Sequence, residues 1–302
     1  MVWRNNIIMD NKELRLRRSA RKDSMKIEKL LNEYRFQIVP RYFNDLDEEY
    51  EFRKIAVDSE GNIIGGCIGD IYPWGALYVD TLWVSEKYRG KDIGSNLLKA
   101  VEDVGRERGC YLSFLGTLDF QAKPFYEKHG YKLFGTSKDW PKGHESYALY
   151  KPLDVNVPER GCKKIDYVIK DGTEEEGEYV DDQLAEHNLK FVPKSHDYIK
   201  INRKLVDKDG NLEAGIMAGV GWWDIAWIWV LWVEEPYRNQ GLGTKLLSHF
   251  EKQAKAKGAY VVVAEGVFDW ELDFFLKRGY VIIEKLDNFP KGHTFYTVKK
   301  DL

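Results

Sequence analysis

The sequence predicts an α+β fold made of two tandem domains, and three observations support this. The chain has 302 residues, which suggests two domains at about 100–200 residues each. Short motifs recur along the chain at a constant spacing. Each copy also runs through strand-like and helix-like hydrophobic patterns in the same order. We therefore expect domains at 1–153 and 154–302, each a mixed, mostly antiparallel sheet flanked by helices.

The internal repeat has a fixed offset of 149 residues. Tyr88-Arg89 recurs as Tyr237-Arg238, and Gly130-Tyr131 recurs as Gly279-Tyr280. Because the offset is constant over most of each copy, it indicates a duplicated domain. The copies join near residues 153–164, where turn-forming residues indicate a short linker.

Composition excludes several classes of protein. A net charge of −3 and a pI near 6.1 argue against a nucleic-acid partner, since phosphate binding needs a basic excess. No apolar run approaches the ~20 residues that a membrane span requires, and the charged N-terminus lacks a signal core. Three distant cysteines without a CxxC motif favour a reducing cytoplasm. The six histidines show no metal-ligand spacing, so we expect no metal.

The elements of each copy follow from local patterns. The segments Asp58–Asn62 and Asp207–Asn211 have hairpin-turn composition. Apolar strands follow at Tyr78–Val84 and Trp227–Val233. A helix comes next in each copy, and glycines 109 and 258 end these helices. The apolar residues at helical spacing are Ile93, Leu97, Leu98, Val101 and Val104 in the first copy and Leu242, Leu246, Leu247, Phe250 and Ala254 in the second.

The turn between strand and helix carries the clearest functional signal. In the second copy it reads Arg238-Asn-Gln-Gly241-Leu-Gly243-Thr244. A glycine-rich turn that opens a helix leaves backbone N–H groups free at the positive end of the helix dipole. These donors form an anion site that suits a pyrophosphate, and Arg238 can add a charge-assisted contact.

This segment resembles the GNAT (Gcn5-related N-acetyltransferase) superfamily. The family motif is Gln/Arg-x-x-Gly-x-Gly/Ala after a strand, and Arg238–Gly243 matches it in full. The Phe-Tyr…Gly-Tyr pattern at Phe125-Tyr126 and Gly130-Tyr131 also fits. The resemblance covers nearly the whole chain as two copies. It implies acetyl-CoA as co-substrate, held at its pyrophosphate by the loop and along its pantetheine arm by the preceding strand.

The resemblance also implies a backbone N–H on that strand that stabilises the tetrahedral oxyanion. Carried over residue by residue, it implies one set of cofactor contacts in each copy. The first set is Leu82, Val84, Arg89, Gly90, Lys91, Asp92, Gly94 and Ser95, and the second is Leu231, Val233, Arg238, Asn239, Gln240, Gly241, Gly243 and Thr244.

The two copies diverge at three functional positions. Asp92 replaces the first motif glycine in the first copy; its charge should repel a pyrophosphate, although Asp tolerates a left-handed backbone. Tyr126 matches the family tyrosine that protonates the departing thiolate, whereas the second copy has Phe275. Asp80 matches an acid that deprotonates the amine in some members, whereas the second copy has Trp229.

Other interpretations of these residues remain open. Tyr126 can be a packed core aromatic, and Asp80 can cap a bulge or pair with a lysine. Both copies can bind cofactor, the first can catalyse alone, or the second can bind acetyl-CoA and use other groups. We favour the first copy as the catalyst, because an acid and a base are harder to replace than one turn glycine.

The acceptor is less well defined by the sequence. His144 and His293, shared by both copies, are interpreted as structural, and Glu186-His187-Asn188 is a candidate for substrate contact in the acceptor wall of the second copy. The tryptophans near Trp229 and the acidic run at 171–182 suggest a cationic or aromatic amine; a solvated face is the alternative. With alternating strand geometry, Trp227 and Trp229 would share one face and Trp232 the other.

The sequence thus predicts an acetyl-CoA-dependent N-acetyltransferase that acts on a primary amine of a small molecule by direct attack in a ternary complex. The alternative is an acyl-CoA-sensing or partner-binding protein with little turnover. We expect a pseudo-dimeric monomer or a homodimer.

Overall fold

The computed structural model describes residues 6–9, 12–43, 51–153 and 167–302. The predicted linker and Cys162 lie outside these ranges, while Cys67 and Cys110 are buried free thiols. The helices are α1 (Arg21–Ile38), α2 (Ile93–Glu107), α3 (Lys123–Lys128), α4 (Glu174–Leu189), α5 (Leu242–Ala256) and α6 (Asp269–Leu276).

The strands occupy most of the remaining described chain. They are β1 (Asn6–Met9), β2 (Lys12–Arg18), β3 (Glu51–Asp58), β4 (Ile63–Tyr72), β5 (Ala76–Val84), β6 (Leu112–Leu118), β7 (Lys132–Lys138), β8 (Glu145–Pro152), β9 (Tyr167–Asp171), β10 (Ile199–Lys200), β11 (Arg203–Val206), β12 (Leu212–Val220), β13 (Ile225–Val233), β14 (Val261–Phe268), β15 (Val281–Asp287) and β16 (Thr294–Asp301).

The chain forms two compact units whose bounds differ from the two halves of the sequence. Unit N comprises Arg41–Pro193 and Phe289–Lys291, and unit C comprises the remaining segments Met1–Pro40, Lys194–Asn288 and Gly292–Leu302. Helix α4 therefore belongs to unit N and helix α1 to unit C. Each unit takes its first helix from the other half of the sequence. The division into 1–153 and 154–302 stays a prediction about the two repeats.

Each unit contains a mixed, mostly antiparallel sheet, as the sequence predicts. In unit N the strand order is β7-β8-β6-β5-β4-β3-β9, and only β5 and β6 run parallel among the described pairs. In unit C the order is β1-β2-β11-β12-β13-β14-β16-β15, with β13 and β14 parallel. The α+β fold class is confirmed.

The predicted hairpin turns and helix ends are also confirmed. Asp58 Oδ1 accepts hydrogen bonds from the backbone N–H groups of Glu60 and Asn62, and Asp207 does the same in the second copy. The glycines after α2 and α5, Gly109 and Gly258, adopt the positive φ that favours glycine.

One face of each sheet packs on the predicted helix, and the other face packs on the exchanged helix. In unit N, the buried side chains of Leu97 and Val101 on α2 cover the first face. On the second face, Val180 of α4 packs with Ile55 and Trp83. Gly66 on β4 permits this approach, because a Cβ there would lie 2.5 Å from Val180 Cγ2.

A bulge interrupts the strand that precedes each loop. Ile68 pairs with Thr81 but Gly69 pairs with Val79, which leaves Asp80 as an extra residue in β5. The pairs Met217–Val230 and Ala218–Ile228 leave Trp229 in the same position of β13. An extra residue of this kind resets the alternation of side chains.

The bulge makes one sequence prediction wrong. Before the bulge, Ile228 packs on the face of the sheet that is covered by α5. After the bulge, Leu231 and Val233 lie on that face, whereas Trp232 packs with α1 on the opposite face. Trp227 alternates with Ile228, so it falls on the same face as Trp232. The simple alternation assumed for the sequence placed these two tryptophans on opposite faces.

The contact between Gly66 and Val180 gives a direct test of the helix exchange. Gly66→Ala should lower the free energy of unfolding by about 1–3 kcal/mol, because the new methyl group overpacks against Val180. In the Gly66→Ala/Val180→Ala double variant, the loss should be smaller than the sum of the two single losses. Urea unfolding of the four proteins measures this coupling. Additivity within about 0.5 kcal/mol would contradict the contact.

Candidate active site

A cavity of about 700 Å³ opens in unit N beside the bulge. The parallel pairing of β5 with β6 covers only Ala76–Tyr78 against Leu112–Phe114, and beyond these residues the two strands separate. The cavity lies in this gap, with Leu82 on one side and Gly116 on the other. Backbone groups on this edge of β5 are left without β6 partners and are available to a ligand.

Most of the site residues predicted for the first copy meet at this cavity. They are Asp80, Leu82, Val84, Arg89, Gly90, Asp92, Gly94, Ser95 and Tyr126. Lys91 does not line it; its ammonium lies 5.2 Å from the centre of the Tyr88 ring. The residues predicted for the second copy, Leu231 to Thr244, belong to unit C.

The loop before α2 has the same backbone conformation as its counterpart before α5. Gly90 and Asp92 have φ of 71° and 63°, and Asn239 and Gly241 have φ of 60° and 84°. Both loops thus contain two left-handed positions, and the glycine occupies the first in one copy and the second in the other. Asp92 thus adopts the left-handed conformation that Asp tolerates better than most residues. Its carboxylate makes no capping hydrogen bond to the helix.

The arginine that begins each loop is fixed by the preceding strand. Arg89 Nε donates a hydrogen bond to the Val84 carbonyl oxygen at 3.0 Å, and Arg238 Nε donates to Val233 at the same distance. This contact uses Nε only. Arg89 is exposed and lines the cavity, and among the described residues no hydrogen bond occupies its terminal guanidinium nitrogens, so they can bind an anion.

Tyr126 reaches the cavity from α3. Its side chain is 8 % exposed, and burial raises the pKa of its hydroxyl well above the usual range, with a smaller contribution from Cys67. The hydroxyl is therefore protonated at neutral pH and can donate a proton or a hydrogen bond.

Asp80 enters the cavity from the bulge. Its side chain is accessible, but the surrounding walls partly desolvate the carboxylate, which raises its pKa to about 6, with further contributions from Asp181 and Glu51. A carboxylate with this pKa is ionised at neutral pH and is a stronger base than an ordinary aspartate.

Helix α4, together with Phe191 just after its end, supplies a wall of the cavity in unit N. The sequence placed the segment around His187 in the acceptor wall of the second copy, and that prediction is wrong because α4 belongs to unit N. Leu184, His187 and Phe191 line the cavity, and the Phe191 ring stacks on Phe120 at 4.8 Å. Desolvation is the main cause of the lowered pKa of His187, followed by the charges of Arg89 and Lys190. The spacing of these wall residues is a helical-face signal. It lies in the second half of the sequence, so the repeat gave no reason to assign it to the first-copy site.

The acidic run 171–182 has two roles in the described structure. Glu176 completes a capping box with Thr173 and pairs with Lys170, so this part of the run stabilises the start of α4. Asp181 instead contributes to the raised pKa of Asp80.

His144 and His293 each contact an aspartate, Asp119 Oδ1 at 2.9 Å and Asp269 Oδ2 at 3.1 Å.

The equivalent region of unit C has different chemistry. Trp229 and Phe275 occupy the positions of Asp80 and Tyr126 and have neither a carboxylate nor a hydroxyl. The Arg238 guanidinium lies against the rings of Tyr34 and Trp232, at 4.3 and 4.6 Å from their centres.

Helix α1 also reaches across the edge of β14. Arg35 donates hydrogen bonds to both carboxylate oxygens of Glu271 and to the Gly266 carbonyl oxygen. Both members of this ion pair are largely buried, so the contact ties α1 to β14 and α6 at the place where, in unit N, the cavity opens.

The fold and the loop together define the class of protein. A model of the Acetyltransferase (GNAT) family matches residues 24–131 and 163–280, so the chain belongs to this family, and it is an N-acetyltransferase. The match in two segments confirms the tandem arrangement. The non-enzymatic alternative considered for the sequence is not supported.

Particular relatives match parts of the chain. Blasticidin-S acetyltransferase of Streptomyces morookaense is 40% identical over 99 residues, which are 32% of this chain and 72% of that protein. An acetyltransferase of Agrobacterium fabrum is 33% identical over 26% of this chain and 57% of its own length. The crystal structure of an acetyltransferase from Bacillus cereus has 33% identity over 45% of this chain and 95% of its own, with a TM-score of 0.39.

The described residues contain neither a membrane-spanning helix nor a grouped set of metal ligands. None of their helices has the length and apolar character needed to cross a bilayer. Nor do they contain three or more His, Cys, Asp or Glu side chains grouped to hold a metal ion.

The left-handed conformation of Asp92 leads to a prediction about cofactor binding. Asp92→Gly should tighten acetyl-CoA binding by about 3–10-fold, roughly 0.6–1.4 kcal/mol, because glycine keeps the loop conformation and removes a negative charge near the anion site. Asp92→Ala should instead lose about 1–2 kcal/mol of stability, since alanine is strained at positive φ. Calorimetric titration and thermal unfolding measure the two effects. Weaker binding by Asp92→Gly would show that the carboxylate helps to hold the ligand.

Proposed function

We propose that the chain transfers the acetyl group of acetyl-CoA to a primary amine of a small molecule, and that unit N performs the transfer. One observation carries the proposal: a single cavity joins the anion-binding loop, an unpaired strand edge, the base candidate Asp80 and the acid candidate Tyr126. These are the parts that the acyl transfer requires, in one continuous space.

The cavity suggests how acetyl-CoA lies. The free N–H groups at the start of α2 and the Arg89 guanidinium suit the pyrophosphate. The edge of β5 beyond Tyr78 offers backbone hydrogen bonds to the amides of the pantetheine arm. The thioester then lies near the bulge, where a β5 N–H stabilises the oxyanion of the tetrahedral intermediate.

The proposed reaction is a direct transfer in a ternary complex. Asp80 accepts a proton from the bound ammonium, directly or through a water molecule, and the neutral amine attacks the thioester carbonyl carbon. Collapse of the tetrahedral intermediate breaks the C–S bond. Tyr126 donates its proton to the departing thiolate, and the second proton of the reacting nitrogen, which leaves as the amide forms, restores the tyrosine hydroxyl directly or through water. The proton on Asp80 passes to solvent, and the products are the N-acetylated amine and CoA. Binding both substrates in one cavity supplies proximity and orientation.

Unit C keeps the loop conformation but lacks both candidate proton-transfer groups. Trp229 and Phe275 cannot exchange protons, and the Arg238 guanidinium contacts two aromatic rings. These differences support unit N as the place of transfer. The similarity to blasticidin-S acetyltransferase supports a small-molecule acceptor, and blasticidin S is one acceptor to test.

Tyr126 should be required for turnover. Tyr126→Phe removes the proton donor without changing the ring and should lower kcat by about 10²-fold or more, with little change in acetyl-CoA binding. The matched control is Phe275→Tyr, the reverse change at the equivalent position of unit C, which should leave kcat unaltered. Thiol release from acetyl-CoA measures both. Full activity of Tyr126→Phe would remove this tyrosine from the mechanism.

The pH profile should report Asp80. Because Asp80 must be ionised to act as the base, kcat/KM should rise as the pH increases through a pKa of about 6. This rise lies at lower pH than the change caused by titration of the amine substrate. Asp80→Asn should abolish the rise near pH 6 and lower kcat/KM by about 10²-fold. An unchanged profile in the variant would mean that another group accepts the proton.

A further inference from the structure

Three elements of unit N bring carboxylates to the neighbourhood of Asp80. Asp70 on β4 lies opposite Tyr78, two residues before Asp80 on β5. Glu51 on β3 lies opposite Asp70 on its other side. Asp181 lies on α4, three residues before the wall residue Leu184 and therefore on nearly the same helix face. Of these carboxylates, only Asp80 is among the residues that line the cavity. The register of the strands and the turn of α4 place the others near it, so negative charge is concentrated beside the bulge.

The protein itself offers little positive charge to balance these carboxylates. Arg53 forms an ion pair with Glu51. Within the described residues, Asp70, Asp80 and Asp181 have no salt-bridge partner. Desolvation raises the pKa of Asp70 to about 6, and the charge of Asp80 is the next cause. Ionised carboxylates that face each other in a partly enclosed space repel each other unless a cation lies between them.

The proposed reaction does not supply that cation by itself. The reacting nitrogen gives up its proton before it attacks, and Asp80 takes that proton. In the reactive complex with a monoamine, the described positive charge near Asp70 would be that of Arg53, which already pairs with Glu51, so the carboxylates would remain in excess. An acceptor with a second charged nitrogen would keep a cation beside them throughout the reaction.

We propose that the acceptor carries, besides the amine that is acetylated, a second nitrogen that stays positively charged, an ammonium or a guanidinium, and that Asp181 and Asp70 bind it. This inference rests on the proposed function. It assigns Asp181, from the second half of the sequence, to substrate selection in unit N. The shared aromatic wall of Phe120 and Phe191 leaves room in the same cavity for the apolar part of the acceptor.

Two acceptors of the same chain length test the inference. Cadaverine and pentylamine differ only in the second amine, and kcat/KM for each is measured by thiol release from acetyl-CoA. The expected preference for cadaverine is about 10-fold or more at low ionic strength, and it should shrink as salt is added. Agmatine, in which a guanidinium is the second cation, should also be preferred over pentylamine.

A matched pair of variants locates the effect. Asp181→Asn should reduce the ratio of cadaverine to pentylamine activity by about 3–10-fold. Asp182→Asn removes the same charge from the next residue of α4, which is also exposed, and should leave the ratio unchanged. Equal reduction by both variants would replace a specific contact with a general field effect and overturn the assignment to Asp181.

The outcomes separate this inference from the proposed function. If pentylamine and the two dications are acetylated equally well, the second-cation requirement is wrong, while acetyl transfer to amines in unit N stands. If none of these amines, nor blasticidin S, releases thiol, the proposed transfer to small amines fails and the inference fails with it.

Discussion

The site in unit N depends on the early end of the parallel pairing between β5 and β6. Only three residues of each strand are paired, and the bulge at Asp80 follows directly. Continued pairing would satisfy the backbone groups of β5 and fill the gap between the strands. Because the pairing ends there, the edge of β5 stays open, the gap becomes a cavity, and the bulge turns a carboxylate into it. The loop that holds Arg89 and the residues around Tyr126 then lie at the borders of one space.

The site in unit N also depends on α4, the helix that unit N takes from the second half of the sequence. Val180 packs α4 onto the sheet of unit N, and the same helix continues along the cavity to Leu184 and His187. The wall of the first-copy site is therefore encoded in the second half of the sequence. In unit C, α1 takes the equivalent place, but its Arg35 and Tyr34 contact Glu271 and Arg238. Two copies of one fold thus present different surroundings for the same loop.

Much of the fold was predictable because it follows from local rules. The periodicity of Leu97 and Val101 predicted α2, and the turn residues after Asp58 predicted a hairpin. The left-handed position of Asp92 was anticipated from the known tolerance of Asp for this conformation. The grouping of Asp80 and Tyr126 at one cavity followed only from the family resemblance, since the two residues are far apart in sequence.

Other features depend on distant contacts, and local patterns do not contain them. Simple alternation predicted the wrong face for Trp232 because a bulge leaves no mark in hydrophobic periodicity. The helix exchange was missed because a repeat specifies which elements form, but not which copy each one packs against. Gly66 and Gly215 were the available signals: both lack the Cβ that would block a helix, but neither indicates the source of that helix.

The central claim is that acetyl transfer takes place in unit N, between β5 and the wall supplied by α4. A crystal structure of the full chain with acetyl-CoA and a slow or product-like acceptor tests it most directly. We expect the pyrophosphate at residues 89–95, the thioester beside the bulge between Asp80 and Tyr126, and the acceptor in contact with α4. Acetyl-CoA bound only at the loop of unit C, with its thioester near Trp229 and Phe275, would contradict it.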